Sequence, residues 1–493
     1  MLISANNFYT SVKTIFGIPQ DQLKKLIILY SIAHGGIFLI LQSIYWDDWL
    51  LWNMNSEIIL NTFRQAGSPF NFVGYLHNIL LSVGPWFYRV LTFILIFLSG
   101  ILLWHILKRS ELVDETSIFL IVLFYLTTPL YIARVAVIDF PYTLCVFLFY
   151  FAWFVQGRFR LLSLALYFLS FNTQSLLVFY TLPMLDYLFR ENNKFSFGSI
   201  LRWGVGKLDF IMLPFVWFII KIIYFKPTGF YKNYNEIYSL LHLIKSPVYQ
   251  LWDMLNLDVG LVLIGLLFFF FFNTKHIDIS FNERKPKRLL VIATVCLVFA
   301  LVPYWILGHI PTFREWTSRH QLLMPLGTSF LFAYFISIIN RLDQRKIFVA
   351  IFFSVFISIN VSNYFDLIID WKKQNEIAEF LRNSEEVKKS DVILFNDKTK
   401  NALDRLYRNY EWNGLLKLAT GSEMKFGITK SEYSLYQDGY FDTSFNTHSL
   451  ASDHERKINS ILLEIIIQKG SLKNVFKNNF KFYIFEAKII NVK

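Results

Sequence analysis

Long apolar runs separated by short polar segments fill the first three quarters of the 493-residue chain. The first run, residues 26–45, contains 20 consecutive residues without a formally charged side chain. At about 1.5 Å rise per residue, a helix of that length crosses the ~30 Å hydrocarbon layer of a bilayer. No small-residue cleavage site follows the run. We therefore interpret it as a retained first span and not as a signal peptide.

The pattern recurs, which predicts an α-helical polytopic membrane protein with about 11 transmembrane helices. Spans five and six are short, and the pattern leaves open whether they cross fully or form a re-entrant pair. The predicted spans are 26–45, 86–107, 117–133, 140–156, 161–172, 175–189, 208–225, 257–272, 289–307, 321–339 and 347–364.

The net charge of +12 is explained by topology without a nucleic-acid partner. In the segments on the N-terminal side of the membrane 19 Lys and Arg occur, against 8 in the short loops on the other side. The positive-inside rule therefore predicts a multi-pass protein of the inner (plasma) membrane with a cytoplasmic N-terminus. Both cysteines, Cys145 and Cys296, lie inside apolar runs, which argues against a disulfide framework or a zinc site.

From residue 366 onward the chain is polar and charged, and no further run is long enough to span. We expect a helix at 371–389 and strands at 391–395 and 480–492. The predicted organisation is a transmembrane domain, 1–365, followed by a soluble extracytoplasmic α/β domain, 366–493. The sequence contains no Walker A loop and no dinucleotide-binding fingerprint.

Two adjacent acids, Asp47 and Asp48, follow the first span and lie between Trp46 and Trp49. In one interpretation this is an aromatic belt with two solvated acids. In the other, one carboxylate is a general base, and the second shapes the site or holds a cation.

Further polar positions flank the next spans. His77 precedes span two and Arg89 begins it, where a packed interfacial histidine and a snorkelling anchor are the simpler interpretations. Arg134 and Asp139 lie between spans three and four. Asp139 is either a helix N-cap ahead of Pro141 or a third functional carboxylate, and these roles are compatible.

The order of these features resembles the GT-C glycosyltransferases, which include protein O-mannosyltransferases and lipid A aminoarabinose transferases. Asp47 and Asp48 match the acidic pair that follows the first span of that family. His77 falls at the family's His or Lys position, although Asn78 and Ile79 replace the two prolines that follow it there.

Arg89 matches the arginine that opens the second span, and Asp139 matches the aspartate at the start of the fourth. The resemblance covers residues 20–190, and beyond them it rests on the order of the spans alone. It implies Asp47, Asp48 and Asp139 as catalytic residues.

The resemblance also implies a fold and an activity. We expect a GT-C-like membrane domain that moves a sugar from a polyprenyl-phosphate donor to an extracytoplasmic glycan, lipid or protein acceptor by inverting displacement. Some relatives require Mg²⁺ or Mn²⁺, for which Asp47, Asp48 and Asp139 are the candidate ligands, and the sequence does not decide this. C-terminal modules of relatives are usually accessory.

A second cationic segment, residues 308–320, lies in a loop on the predicted outer side. Bidentate binding of a phosphate explains arginines there, and contact with lipid headgroups is the alternative. The predicted substrate-binding residues are His77, Arg89, Arg134, Arg314, Arg319 and His320.

Two other functions remain open: a transporter or flippase of a lipid-linked glycan, and a polymerase or ligase of surface polysaccharide. A transporter would place charges near the middle of the membrane and often contains an internal repeat. Asp209 and Lys221 lie in or near span seven, but the two halves of the sequence show no repeat. In the C-terminal segment Asp397 and Asp438 are the polar loop positions that could belong to a site, and we expect turns there instead.

Overall fold

The computed structural model of the chain is mainly helical, with a four-stranded sheet near the C-terminus. It describes residues 17–52, 54–191, 196–232, 245–247, 249, 286–312, 316–390, 392–399, 406–421, 425–429, 462–469 and 483–490.

Fourteen of the described α-helices lie between Gln20 and Asn383, ahead of the sheet. They are α1 (Gln20–His34), α2 (Ser56–Gln65), α3 (Phe72–Leu81), α4 (Pro85–Ser110), α5 (Glu115–Thr127), α6 (Phe140–Val155), α7 (Arg160–Ser170), α8 (Ser175–Phe179), α9 (Thr181–Glu191), α10 (Phe197–Gly206), α11 (Leu208–Tyr224), α12 (Pro286–Ile306), α13 (Met324–Ile338) and α14 (Leu342–Asn383). Short 3₁₀ helices lie at Gly35–Ile40, Trp46–Leu50, Pro69–Asn71, Ile132–Val135, Gly229–Tyr231 and Trp316–Gln321.

Among the described residues, four helical segments are long and apolar enough to cross a membrane: Gln20–Ile40, Pro85–Ser110, Pro286–Ile306 and Leu342–Asn383. The apolar helices α5, α6, α7 and α13 are shorter. These features are those of a helical membrane protein. The full number of eleven spans stays a prediction, and the predicted span 257–272 lies outside the described residues.

The first predicted span is displaced toward the N-terminus. Helix α1 begins at Gln20, tightens into a 3₁₀ helix at Gly35 and ends with it at Ile40, so residues 43–45 are not helical. A Cβ atom on Gly36 would overlap the ring of Tyr364, so a larger residue does not fit there. Because the helical stretch runs from Gln20 to Ile40, the predicted bounds 26–45 were too late at both ends.

Helix α5 is a buried core helix, shorter than the predicted span 117–133. Its 13 residues give a length of about 20 Å, less than the hydrocarbon thickness. Every residue from Ser117 to Thr127 is buried, and the helix packs against α1, α4 and α13. A helix that is apolar on all sides is expected in such a core.

The predicted spans five and six form three helices. Helix α7 has 11 residues, which give about 17 Å. After the junction at 171–174, the second stretch divides into α8 and α9 at Tyr180. Each of these helices is shorter than the hydrocarbon layer, and whether the pair is re-entrant stays open.

The chain divides into two compact units. The first comprises Met1–Leu41, Ile59–Val135 and Asp139–Tyr364, and the second comprises Gln42–Ile58, Ala136–Ile138 and Phe365–Lys493. The second unit thus begins its main segment next to the boundary expected at residue 366. It also takes in the segment with Asp47 and Asp48, which the sequence assigned to the membrane domain.

Helix α14 continues through the change in composition at residue 366. The predicted span 347–364 and most of the predicted helix 371–389 belong to this single helix of 42 residues. Residues 342–383 contain no glycine or proline, so the sequence becomes polar without a helix-breaking residue. Helix α15 (Glu385–Lys389) follows, with the Ser384 side chain as its N-cap.

The second unit contains a mixed sheet with the strand order β2-β1-β3-β4. Strand β1 is parallel to β2 and β3, and β4 is antiparallel to β3. Two of these strands, β1 and β4, were expected at 391–395 and 480–492, whereas β2 and β3 were not. The strands are β1 (Val392–Asp397), β2 (Phe426–Thr429), β3 (Leu462–Lys469) and β4 (Tyr483–Ile490), with α16 (Asn409–Thr420) between β1 and β2.

Candidate functional site

The acid loop, Trp46–Leu50, is a 3₁₀ helix in the second unit. Trp46 is buried and has a φ of 49°. A bulky residue in this left-handed region costs on the order of 1–3 kcal/mol, so the surrounding packing must hold it there. Trp49 supplies part of that packing, because its ring lies directly against Gly414 of α16. The loop that carries both acids is therefore held in a strained conformation.

Asp48 is buried and is bonded to the backbone through both carboxylate oxygens. The N–H of Ile138 donates to Oδ1 at 2.8 Å, and the N–H of Tyr45 donates to Oδ2 at 3.2 Å. Hydrogen bonds from N–H groups to a buried carboxylate are strong, and removing the acceptor leaves the donors unsatisfied. This bonding gives Asp48 a structural role in fixing the acid loop.

Asp47 is half-buried and is bonded to a side chain from the C-terminal part of the chain. The hydroxyl of Tyr410, in the first turn of α16, donates to Oδ1 of Asp47 at 2.5 Å. Burial, followed by the negative charges of Asp47 and Glu411, raises the pKa of Tyr410. The phenol therefore stays protonated and remains a donor. Sequence analysis missed Tyr410, since it lies 363 residues from its partner.

A second polar network in this unit surrounds Lys373, which is fully buried and pairs with Asp397 at 2.5 Å. The hydroxyl of Tyr407 donates to Asp370 at 2.5 Å, and the Gln374 amide donates to the same carboxylate at 3.1 Å. Asp397 is the last residue of β1, and its carboxylate also accepts from Thr399. The bond from the N–H of Thr399 forms an Asx turn directly after the strand, which agrees with the turn expected at Asp397.

In the first unit, the two 3₁₀ helices Ile132–Val135 and Trp316–Gln321 pack together. The N–H of Ala133 donates to Oγ of Ser318 at 3.0 Å. This packing brings together two segments that the sequence marked separately. One carries Arg134, and the other carries Arg319 and His320; we call them the cation segments.

Arg134 is buried, with 6% of its surface exposed. Its guanidinium donates to Nδ1 of His34 at 3.2 Å and to the amide oxygen of Asn360 at 3.4 Å. Nε2 of His34 lies 2.9 Å from the carbonyl oxygen of Leu126. Because that carbonyl can only accept, Nε2 carries the proton and Nδ1 accepts from Arg134. His34 is thus a neutral partner.

No carboxylate forms an ion pair with Arg134 in the described part of the chain. A buried charge without a counter-ion is costly, which favours an anionic ligand.

The other cation segment contains His320 beside Arg319, and His309 from the preceding loop stacks on His320. The rings of His309 and His320 stack with centroids 4.8 Å apart, and the ring of Tyr304 lies 5.0 Å from His320. Burial, followed by the charge of Arg319, lowers the pKa of both histidines. Arg319 is therefore the cation of this segment at neutral pH, and the histidines act as neutral polar groups.

Asp139 is fully buried and precedes α6 at the N-cap position, but its side chain forms no capping hydrogen bond. Asp139 thus occupies the expected N-cap position ahead of Pro141, without the side-chain bond that a capping role would supply. Helix α6 begins directly after Asp139 and contacts the 3₁₀ helix Ile132–Val135, which carries Arg134. The structure thus places a buried carboxylate in the same region of the first unit as the cation segments.

His77 and Arg89 both lie in the interior of the first unit. The ring of His77 stacks on Phe63 at 5.0 Å and on Tyr88 at 5.7 Å, and burial lowers its pKa to about 3. Arg89 has 1% of its surface exposed and donates to the carbonyl of Leu41 at 2.9 Å. The interpretation of Arg89 as a snorkelling anchor was therefore wrong, and substrate binding by either residue stays a prediction.

Asp209 and Lys221, both in α11, differ in their contacts. Asp209 pairs with Arg160 at 2.5 Å. Lys221 is buried with its ammonium 5.5 Å from the centroid of the Trp217 ring, and within the described residues it forms no ion pair. Arg314 and Asp438 lie outside the described residues.

Among the residues that the structure describes, no three His, Cys, Asp or Glu side chains are arranged to hold a metal ion. Binding of Mg²⁺ or Mn²⁺ by Asp47, Asp48 and Asp139 stays a prediction. Compared with protein-family models, with curated proteins and with solved structures, the chain matches none.

Proposed function

We propose that this protein is a membrane glycosyltransferase that uses a sugar linked to a polyprenyl phosphate. The acceptor is an extracytoplasmic glycan, lipid or protein. The observation that carries the proposal is Asp139, a buried carboxylate at the start of α6, the helix that contacts the cation segment with Arg134. Transfer from a lipid phosphate needs a base for the acceptor and cations for the leaving group.

In this mechanism Asp139 takes the proton from an acceptor hydroxyl. The acceptor oxygen forms a bond to the anomeric carbon while the bond from that carbon to the phosphate oxygen breaks. The phosphate leaves with the electron pair, and Arg134 and Arg319 stabilise its charge. The configuration at the anomeric carbon inverts, because one displacement occurs. Asp47, held by Tyr410, is the second candidate base, and no step depends on a metal ion.

The proposed topology has eleven spans, a cytoplasmic N-terminus and an extracytoplasmic C-terminal module in the inner (plasma) membrane. Single cysteines at two exposed positions test it, since the native Cys145 and Cys296 are buried. Glu57→Cys should react with a membrane-impermeant thiol reagent in whole cells, and Gly157→Cys should not. The reverse pattern would exclude this orientation.

A transporter or flippase of a lipid-linked glycan is the second candidate function. It is favoured by Lys221, a buried ammonium in an apolar helix without an ion pair among the described residues. Ionisable groups in such positions often mark transport paths. This function predicts movement of intact lipid-linked sugar and no cleavage at the anomeric carbon. A polymerase or ligase of polysaccharide would share the transfer chemistry.

The deciding experiment uses the purified full chain with synthetic polyprenyl-phosphate hexoses and pentoses. We expect release of polyprenyl phosphate that depends on the acceptor. Arg134→Gln should raise the apparent KM for the donor about tenfold or more, since it removes a charged contact to phosphate. Arg202→Gln, at an exposed arginine, is the matched control. Movement of intact donor across liposomes without cleavage would reject transfer and support the second function.

A further inference from the structure

Gln321, the last residue of the 3₁₀ helix Trp316–Gln321, has none of its surface exposed. Within the part of the chain that the structure describes, neither its amide oxygen nor its amide nitrogen has a hydrogen-bond partner. An unsatisfied buried polar group costs on the order of 1–3 kcal/mol. An amide kept at that cost favours a polar partner, and a bound ligand or ordered water can supply one.

The geometry of the 3₁₀ helix indicates which way Gln321 faces. Such a helix has about three residues per turn, so Ser318 and Gln321 lie on the same side. Ser318 accepts a hydrogen bond from the N–H of Ala133, which precedes Arg134. Gln321 therefore lies on the side of the helix that packs toward the 3₁₀ helix Ile132–Val135, which carries Arg134. Nε of Arg134 also has no partner among the described residues.

We propose that the amide of Gln321 binds hydroxyl groups of the sugar in the lipid-linked donor and contributes to the choice of sugar. An amide offers one acceptor oxygen and two N–H donors, which complement a pair of neighbouring hydroxyl groups. The proposal rests on the proposed function, in which Arg134 binds the phosphate to which that sugar is attached. Sites that hydrogen-bond a substrate hydroxyl discriminate strongly against sugars that lack it.

The test compares two probes on the full-length purified protein: a polyprenyl phosphate and the same lipid carrying a hexose or pentose. The wild type should bind at least one sugar-bearing lipid more tightly than the bare lipid. Gln321→Leu should bind the bare lipid as the wild type does and lose the advantage of the sugar, a decrease of about tenfold or more. Gln156→Leu, at a buried glutamine that accepts from Tyr167, is the matched control and should keep the advantage.

Thermal unfolding of the same variants separates recognition from structure. Gln321→Leu should be at least as stable as the wild type, because an apolar side chain replaces an amide without bonds. A loss of stability together with weaker binding of both probes would show that the amide is a structural group satisfied by water, and would overturn the inference. Gln321→Met serves if the leucine variant does not fold.

An unchanged preference for the sugar-bearing lipid in Gln321→Leu would also overturn the inference while leaving the proposed function intact. If the wild type binds no sugar-bearing lipid better than the bare one and transfers no sugar, the proposed function itself fails.

Discussion

Two buried carboxylates, Asp48 in the acid loop and Asp139 before α6, differ in their hydrogen bonds to the backbone. Asp48 accepts from two backbone N–H groups and so holds the loop in place. Asp139 occupies a capping position without capping the helix. Sequence adjacency gave Asp47 and Asp48 the stronger claim to catalysis. The comparison shows that hydrogen bonding to the backbone, which the sequence does not display, identifies Asp48 as a structural acid.

The largest expected effect is on activity, from Asp139→Asn. The variant should fold, since no capping bond is lost, and sugar transfer should fall about 10²- to 10⁴-fold, as is typical when a general base is removed. The measurement is release of polyprenyl phosphate from the donor. Asp114→Asn is the matched control, because Asp114 does cap α5 and asparagine is an equally good cap.

Full activity of Asp139→Asn would break the comparison and shift the catalytic role to Asp47. In that case Asp47→Asn should show the loss, while Tyr410→Phe should show a smaller one through displacement of the carboxylate.

Asp48→Ala should mainly reduce stability. It leaves the buried N–H groups of Tyr45 and Ile138 without their acceptor, at a cost of about 1–3 kcal/mol each. Thermal unfolding of the purified protein measures this, with Asp343→Ala at an exposed acid as the control. A fully stable Asp48→Ala with reduced activity would instead make Asp48 a catalytic residue.

Gly414→Ala tests whether contact with α16 stabilises the acid loop. The added methyl group would overlap the ring of Trp49, and such overpacking typically costs about 1–3 kcal/mol. Gly198→Ala is the control, since a Cβ there meets no atom within 4 Å. Equal thermal stability of both variants would mean that Trp49 moves aside without cost.

The smallest expected effect is on the pH dependence of stability, through His77. Burial favours the uncharged form of this histidine. Its pKa of about 3 in the folded chain lies below the ordinary value of 6.5. As pH falls below 6.5, the unfolded chain therefore binds the proton first and stability decreases, by up to about 1.4 kcal/mol per pH unit. His77→Phe keeps the ring stacking and should lose less stability between pH 7 and 5.5. Parallel losses in both proteins would contradict this.

The sequence predicted the helices whose apolar runs are long and bounded by polar residues, such as α4 and α12. It failed for α5, because a helix buried on all sides has no polar face or charged end to mark its last turn. It also placed a boundary within α14, where composition changes but no glycine or proline interrupts the helix.

Part of the candidate site was also predictable. Arg319 was singled out because cations are sparse on the predicted outer side, and Arg134 because its loop resembles the GT-C pattern. The binding role of both residues stays a prediction. Tyr410 and Gln321 were not found, for different reasons. Tyr410 acts through a contact with no local sequence signal, and Gln321 is an uncharged residue whose importance lies in bonds that it does not make within the protein.

The hydrogen bond between Asp47 and Tyr410 can form only late in synthesis of the chain. The two residues are 363 positions apart, and ribosomes add about 5–20 residues per second, so the tyrosine is made roughly 20 to 70 s after the aspartate. During that interval the acid loop exists without the phenol that later holds it. A chain that ends before α16 never acquires this donor. A late nonsense mutation would therefore leave most of the helices in place and still remove the hydrogen bond that holds Asp47.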